Sequence, residues 1–242
     1  MAEVKITILV DDINGAEKGY DLSYGFAALI EMNEKKILFD AGTKVPPLLN
    51  NLKLYGIAPS SIDALILTHN HYDHTDGMPG ILEENHDLPI YIHKDWDRPA
   101  TFKGVQPPRK NCIISKKAQE YSEICEGFYL TNSYKAGDYG GVYEHACYIK
   151  TGSSYILLTG CCHPGLNQFL DDRDQLGISS EDPLHIMGGF HGFMFSDVRA
   201  KNLDPIIQSI IICHCTMNAK VFREQFGTKC SIGIVGKTYL FK

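Results

Sequence analysis

Three imidazoles and a carboxylate fall within six residues in the run His69-Asn70-His71-Tyr72-Asp73-His74. Neither ordinary core packing nor a solvated face accounts for so many metal-ligand groups in so little chain. The apolar stretch Ala64-Leu65-Ile66-Leu67 precedes the run and reads as the end of a buried strand over residues 62–67. Ligands delivered from a strand end sit on a rigid support, which a preorganised metal site requires. His69 and His71 fall on one side of an extended segment, because side chains alternate with period two. Asp73 and His74 follow as the chain turns toward Thr75-Asp76-Gly77. The pattern offers one pair of donors to one ion and a second pair to a neighbour. Neutral imidazole and carboxylate suit zinc, and also iron or manganese.

The rest of the chain must fold so that further donors meet that strand end. Its first half alternates strand-like and turn-like segments, with strands expected over 5–10, 26–32, 36–39, 62–67 and 89–93. Pro46-Pro47 opens a helical pattern, with Leu48, Leu49, Leu52 and Leu54 at helix spacing and Gly56 as its stop. Residues 95–140 carry Pro99, Pro107, Pro108 and many turn formers, and read as a connecting region or lid between two halves. Beyond it, 146–150 and 155–159 form an expected hairpin around Thr151-Gly152-Ser153-Ser154. Further strands are expected over 184–187, 210–213 and 232–235, and a helix over 219–226 stopped by Gly227. Strands alternating with helices in two similar halves indicate an α/β layered domain spanning residues 1–242.

Bulk properties narrow the function. A net charge of −6 gives no broad basic footprint of a nucleic-acid binder. No apolar stretch approaches the roughly 20 residues of a membrane span. The N-terminal MAEVKITILVDD lacks the features of a secretory signal. The eight cysteines are therefore expected to be reduced thiols of a cytoplasmic protein. The expected partner is a small-molecule substrate, anionic if it responds to the ions, with neither nucleic acid nor membrane.

His163 and His214 also follow strand-like runs, 155–162 and 210–213. Ligands from several strand ends can converge on one edge of a packed sheet, so both are candidate donors beside the His69 run. His145, in Tyr143-Glu144-His145-Ala146, is a reserve donor. His191, beside Gly189 and Phe190, reads either as a residue near the substrate or as core packing. Lys103, Arg109 and Lys110 form either an anion site or, preferably, a solvated loop. His86, His93 and His185 have no supporting context.

The run His69-x-His71-x-Asp73-His74 resembles the signature of the metallo-β-lactamase superfamily, and Leu38-Phe39-Asp40-Ala41-Gly42 is similar to the strand and turn that precede it. Three further segments resemble the dihydropterin-ribofuranosyl-aminobenzene-phosphate synthase-like hydrolases of that superfamily. They are Thr159-Gly160-Cys161-Cys162-His163-Pro164-Gly165, Gly188-Gly189-Phe190-His191 and Cys213-His214-Cys215-Thr216. The resemblance covers essentially the whole chain and implies a four-layer αββα sandwich with a metal site at one edge. It further implies one ion on His69, His71 and His163, and a second on Asp73, His74 and His214. Two departures stand out. Cys161 occupies the position of the usual bridging aspartate, where a thiolate can ligate or a buried thiol can merely pack. Leu22-Ser23-Tyr24-Gly25-Phe26-Ala27 stands where relatives often carry Glu-His ahead of a Gly-Leu/Phe-Ser segment.

The expected activity is hydrolysis through a metal-bound hydroxide, using one or two divalent ions, zinc foremost. Asp73 would ligate and orient the nucleophile, and His191 would supply the leaving-group proton. A phosphoester or cyclic ester is the leading bond class. Two alternatives stay open: a di-iron redox protein of the same fold, and a non-catalytic metal-binding or ligand-sensing module.

Overall fold

The computed structural model describes residues 3–138 and 140–242. Along the chain the first half runs β1 (Val4–Val10), β2 (Ala27–Met32), β3 (Lys35–Phe39), α1 (Val45–Tyr55), β4 (Ala64–Ile66), α2 (Tyr72–Thr75), α3 (Met78–Glu84), β5 (Ile90–His93) and β6 (Cys112–Ser115). The next stretch holds β7 (Gln119–Glu120), β8 (Phe128–Leu130), β9 (Tyr134–Lys135), β10 (Tyr143–Glu144), β11 (Cys147–Lys150) and β12 (Tyr155–Thr159). Then come α4 (Leu166–Asp171), α5 (Arg173–Leu176), β13 (Leu184–Gly188), α6 (Asp197–Leu203), β14 (Ile207–Ile212), α7 (Ala219–Phe226), β15 (Cys230–Ile232) and β16 (Thr238–Phe241).

Two seven-stranded sheets form, in the orders β16-β1-β2-β3-β4-β5-β6 and β15-β14-β13-β12-β11-β8-β7. The period-two pattern of their strands decides the layering. On β2, Ala28 and Ile30 face the other sheet while Ala27 and Leu29 face helices. On β12, Ile156 and Leu158 point inward and Leu157 outward; on β14, Ile211 points inward between outward Ile210 and Ile212. The inner faces make one core between the sheets, which includes Ile6, Ile8, Phe39, Phe128 and Met187. Leu48, Leu52 and Ile81 cover the outer face of the first sheet from α1 and α3. Phe169, Ala200 and Phe222 cover the second from α4, α6 and α7. The result is the expected four-layer αββα sandwich.

Local signals mostly behave as expected. α1 starts with Pro at its first turn and ends at Gly56, whose φ of 87° is easy only for glycine. α7 covers Ala219–Phe226 and stops at Gly227. β11 and β12 pair antiparallel as the expected hairpin. The strand expected over 232–235 is corrected. β15 ends at Ile232, and Val235 makes only an isolated bridge to Ala16. The chain is leaving the second sheet there to lay β16 against β1 of the first. Of residues 95–140, position 139 lies outside the described residues; the stretch 95–138 carries β6 at one edge of the first sheet and β7 and β8 at one edge of the second. All eight cysteines are free. Among the described residues no helix is long and apolar enough to cross a membrane.

Candidate metal centre

Strands β3, β4 and β5 run parallel, as do β12, β13 and β14, so their C-terminal ends collect at one edge of each sheet. The His69–His74 run leaves β4, Cys161 to His163 leave β12, His191 follows β13, and His214 follows β14. The backbone is strained where these strands turn toward one another. Asp40, Cys162, His191 and Cys215 all adopt left-handed φ values, between 40° and 60°. Such conformations cost about 1–3 kcal/mol each in non-glycine residues and persist where the surroundings dictate them. Gly160 is required here for another reason: a Cβ on it would lie 2.2 Å from Thr68 Oγ1.

The donors fall into two groups, His69/His71/His163 and Asp73/His74/Cys161/His214, with the candidate atoms of each group within 4.8 Å of one another. Cys161 Sγ lies 3.1 Å from His74 Nε2, and Asp73 Oδ2 lies 3.1 Å from His214 Nε2. Outer hydrogen bonds aim the rings. Asp40 Oδ2 accepts from His74 Nδ1 at 2.7 Å and from Thr68 Oγ1 at 2.8 Å. That hydroxyl in turn accepts from His69 Nδ1 at 2.9 Å. Asp12 Oδ1 accepts from His214 Nδ1 at 2.6 Å. With Nδ1 engaged outward, Nε2 of each ring faces the centre, the usual arrangement of carboxylate-oriented metal ligands. His69 Nε2 and Asp73 Oδ1 are buried with no hydrogen-bond partner among the described residues. Orphaned buried polar atoms are rare, and a divalent cation at this point would satisfy them. Imidazole, carboxylate and thiolate together fit such an ion.

Glu144 builds the turn that delivers Cys161 and His163. Its fully buried carboxylate accepts from the backbone N–H groups of Cys161 (2.9 Å), Cys162 (2.8 Å) and His163 (2.7 Å). His145, the reserve donor, lies elsewhere: its Nε2 donates to Leu67 O at 3.0 Å and its ring packs on His93. His191 joins Asp138 and His163 in a third group, with 3.4 Å between His191 Nε2 and Asp138 Oδ2. Arg109 pairs with Asp97 and Lys110 with Asp87 on the surface, so those two cations follow the solvated-loop reading.

Sequence reasoning missed Asp12, Asp138, Glu144 and the aiming role of Asp40. It also missed Tyr24, which lines the cavity over the donors together with Tyr72, Phe102 and Cys215. Its one signal was Gly25, with φ of 104° and a would-be Cβ 2.2 Å from Asp73 O. That contact shows the 22–27 segment folding onto the metal-ligand run.

Burial keeps most of these histidines neutral, as ligation demands. It drives His69 and His93 well below their ordinary value, lowers His163 and His185, and brings His71 and His145 to about 4. Burial opposes protonation of His74 and His214 too. Asp40 outweighs it at the first, and Asp12 with Asp73 outweigh it at the second, which rises to about 10. Burial raises the Cys161 thiol, so in the metal-free protein it stays protonated; a coordinated ion would remove that proton.

The signs set an acid response. Six histidines with depressed folded values contribute stability that is complete above 6.5 and lost as pH falls toward 4. Histidines with raised values already contribute fully below 6.5. Glu144 and Asp11, raised by burial to about 7 and about 6, act in the opposite sense but are only two groups. At 1.36 kcal/mol per pH unit, His145 alone is worth on the order of 3 kcal/mol. The metal-free protein is therefore expected to melt at least about 10 °C lower at pH 4.5 than at pH 7. Equal melting temperatures at the two pH values would contradict the neutral-histidine assignment.

Known proteins match this architecture. Residues 20–117 match the pattern of the Metallo-beta-lactamase superfamily. A Methanocaldococcus jannaschii protein named 7,8-dihydropterin-6-methyl-4-(beta-D-ribofuranosyl)-aminobenzene-5'-phosphate synthase is 43% identical, over 92% of each chain. An uncharacterised protein of the same organism is 30% identical over 87% of this chain and 90% of its own. The crystal structure of a metal-dependent hydrolase of the β-lactamase superfamily superposes with a TM-score of 0.72, at 19% identity and 98% coverage of each chain. With two-sheet layering, a donor-rich strand edge and a full-length relative in agreement, the chain belongs to the metallo-β-lactamase superfamily.

Proposed function

We propose that this protein is a hydrolase of small-molecule esters working with two divalent ions, zinc foremost. His69, His71 and His163 would hold one ion; Asp73, His74, His214 and Cys161 would hold the other. The observation that carries the reading is the pair of buried donor groups under a single open cavity of about 150 Å³. Ions held there would act as Lewis acids and bring the pKa of water toward neutrality. The chain's own residues do the rest. Asp73 Oδ2 lies 3.1 Å from His214 Nε2 in the metal-free protein, and on loading both atoms would turn to the ion. Asp73 Oδ1, which has no hydrogen-bond partner among the described residues, faces the centre. His191 stands at the cavity wall, its acid form favoured by hydrogen bonding to Cys215 and by the charge of Asp138, so it holds a proton for the leaving group. A phosphoester is the leading bond class and a cyclic ester is second. The name of one relative, a synthase whose product keeps a 5'-phosphate, favours a phosphate-bearing ligand and does not bear on which bond is cleaved.

The test is a panel of phosphoesters, lactones and thioesters, run on chelator-treated protein before and after adding zinc, manganese or iron(II). Turnover restored by a divalent ion on at least one ester is expected. Metal uptake without turnover on any of them would overturn the hydrolase reading. Cys161 has its own expected result. Cys161→Ser should keep the ion at His69, His71 and His163 and weaken the second at least about tenfold, because a serine hydroxyl is a poor zinc ligand. Unchanged binding of both ions would make Cys161 a packing residue.

A further inference from the structure

Among the described phenylalanine, tyrosine and tryptophan residues two are exposed, Tyr24 at 49% and Phe102 at 58%. Both line the cavity that His71, Asp73, Cys161 and His163 also line. Exposed aromatic surface gathered at one place marks a binding site better than scattered apolar residues do. Both rings are held firmly. Tyr24 stacks on Tyr72, with centroids 6.2 Å apart and planes at 28°, and meets His214 edge-on at 5.0 Å. Phe102 meets His71 edge-on at 6.2 Å.

The backbone aims these side chains. Phe26 N–H donates to Asp73 O at 3.1 Å, and Tyr72 N–H donates to Phe102 O at 2.9 Å. Gly104 N–H donates to Asn70 O at 3.0 Å. Phe102 itself takes a left-handed φ of 57°, a cost that a loop free to relax would avoid. Below the rings the cavity floor is polar: His71, Asp73, Cys161, His163 and His191. Apolar walls over a polar floor sort a ligand into two parts, and the small volume admits one ring-sized group at most.

We propose that Tyr24 and Phe102 form a clamp for a flat aromatic or heteroaromatic ring, borne by the substrate next to the bond that is cleaved. Flat rings gain from offset or edge contacts with aromatic walls, beyond the gain from burial. The scissile group then lies on the donors below. The ester part of this inference rests on the hydrolase reading above; the ring part rests on the two exposed aromatics.

Competition binding to the metal-loaded protein tests it, with phenyl-, cyclohexyl- and methylphosphonate as probes and benzoate and acetate beside them. Phenylphosphonate should bind about tenfold tighter than methylphosphonate, the effect of burying and stacking one ring. It should also bind tighter than cyclohexylphosphonate, which is as large but not flat. Tyr24→Ala and Phe102→Ala should each cut that preference, and the double variant should bring it to within about twofold. Tyr24→Phe should keep it. Metal content, measured on each variant, separates loss of the clamp from loss of the fold. Equal affinities in the unaltered protein, or a preference surviving in the metal-loaded double variant, would overturn the clamp. A ring preference among the carboxylates without phosphonate binding would leave the clamp and overturn the phosphoester reading. No binding of any probe to metal-loaded protein would overturn both.

Discussion

Alanine at His69 or at His71 is expected to strip metal and turnover together, lowering kcat/KM by at least about 100-fold, the upper range for losing even an outer partner of a metal ligand. His69 Nε2 faces the centre with no hydrogen-bond partner among the described residues, and the two rings lie with centroids 4.6 Å apart. Removing either leaves one imidazole beside His163, a two-ligand remnant. The loss should also reach the second ion, because His69 packs at 4.2 Å on His74. Both rings are buried at the sheet edge among polar donors, and the apolar core between the sheets is left intact by either change, so the variants should keep native circular dichroism and melt cooperatively. Full metal content with unchanged turnover in both variants would sink the assignment.

Glu144 is expected to have the next largest effect, although it touches neither ion. Glu144→Ala leaves three buried N–H groups without an acceptor, at about 1–3 kcal/mol each. Against a total stability of about 5–15 kcal/mol, that variant should be poorly folded. Glu144→Gln is the sharper test. Its amide oxygen can keep the bonds from Cys161 and Cys162, while its NH₂ meets the N–H of His163 donor to donor. The protein should fold, with His163 displaced and the affinity of the ion at His69, His71 and His163 down about 10–100-fold. A competition titration against a zinc chelator measures this. Native affinity in the Gln variant would show that the three hydrogen bonds shape the turn without governing the ion.

The sequence carried the layered fold because its signals were local and periodic. Alternating apolar residues on β2 and β12, the Pro46-Pro47 start and Gly56 stop of α1, and Gly227 after α7 each act within a few residues of themselves. The histidine run was legible for the same reason. His163 and His214 were found because each ends a strand, and strand ends converge in parallel sheets. What stayed hidden acts across long separations. Asp12 reaches His214 over 202 residues, and Glu144 reaches a turn 17 to 19 residues away through backbone donors that have no sequence signature. Reading His145 as the reserve donor came within one residue of the group that matters, but the His145 ring bonds Leu67 O while the Glu144 carboxylate holds the turn at Cys161–His163. β16 was invisible because a short edge strand carries little periodicity, and its partner lies at the other end of the chain.

X-ray diffraction from crystals grown with zinc, collected on both sides of the zinc absorption edge, tests the central claim most directly. Two anomalous peaks are predicted: one within coordination distance of His69, His71 and His163, the other within coordination distance of Asp73, His74, Cys161 and His214. Zinc peaks confined to other residues, or no peak at this strand edge in zinc-saturated crystals, would contradict it.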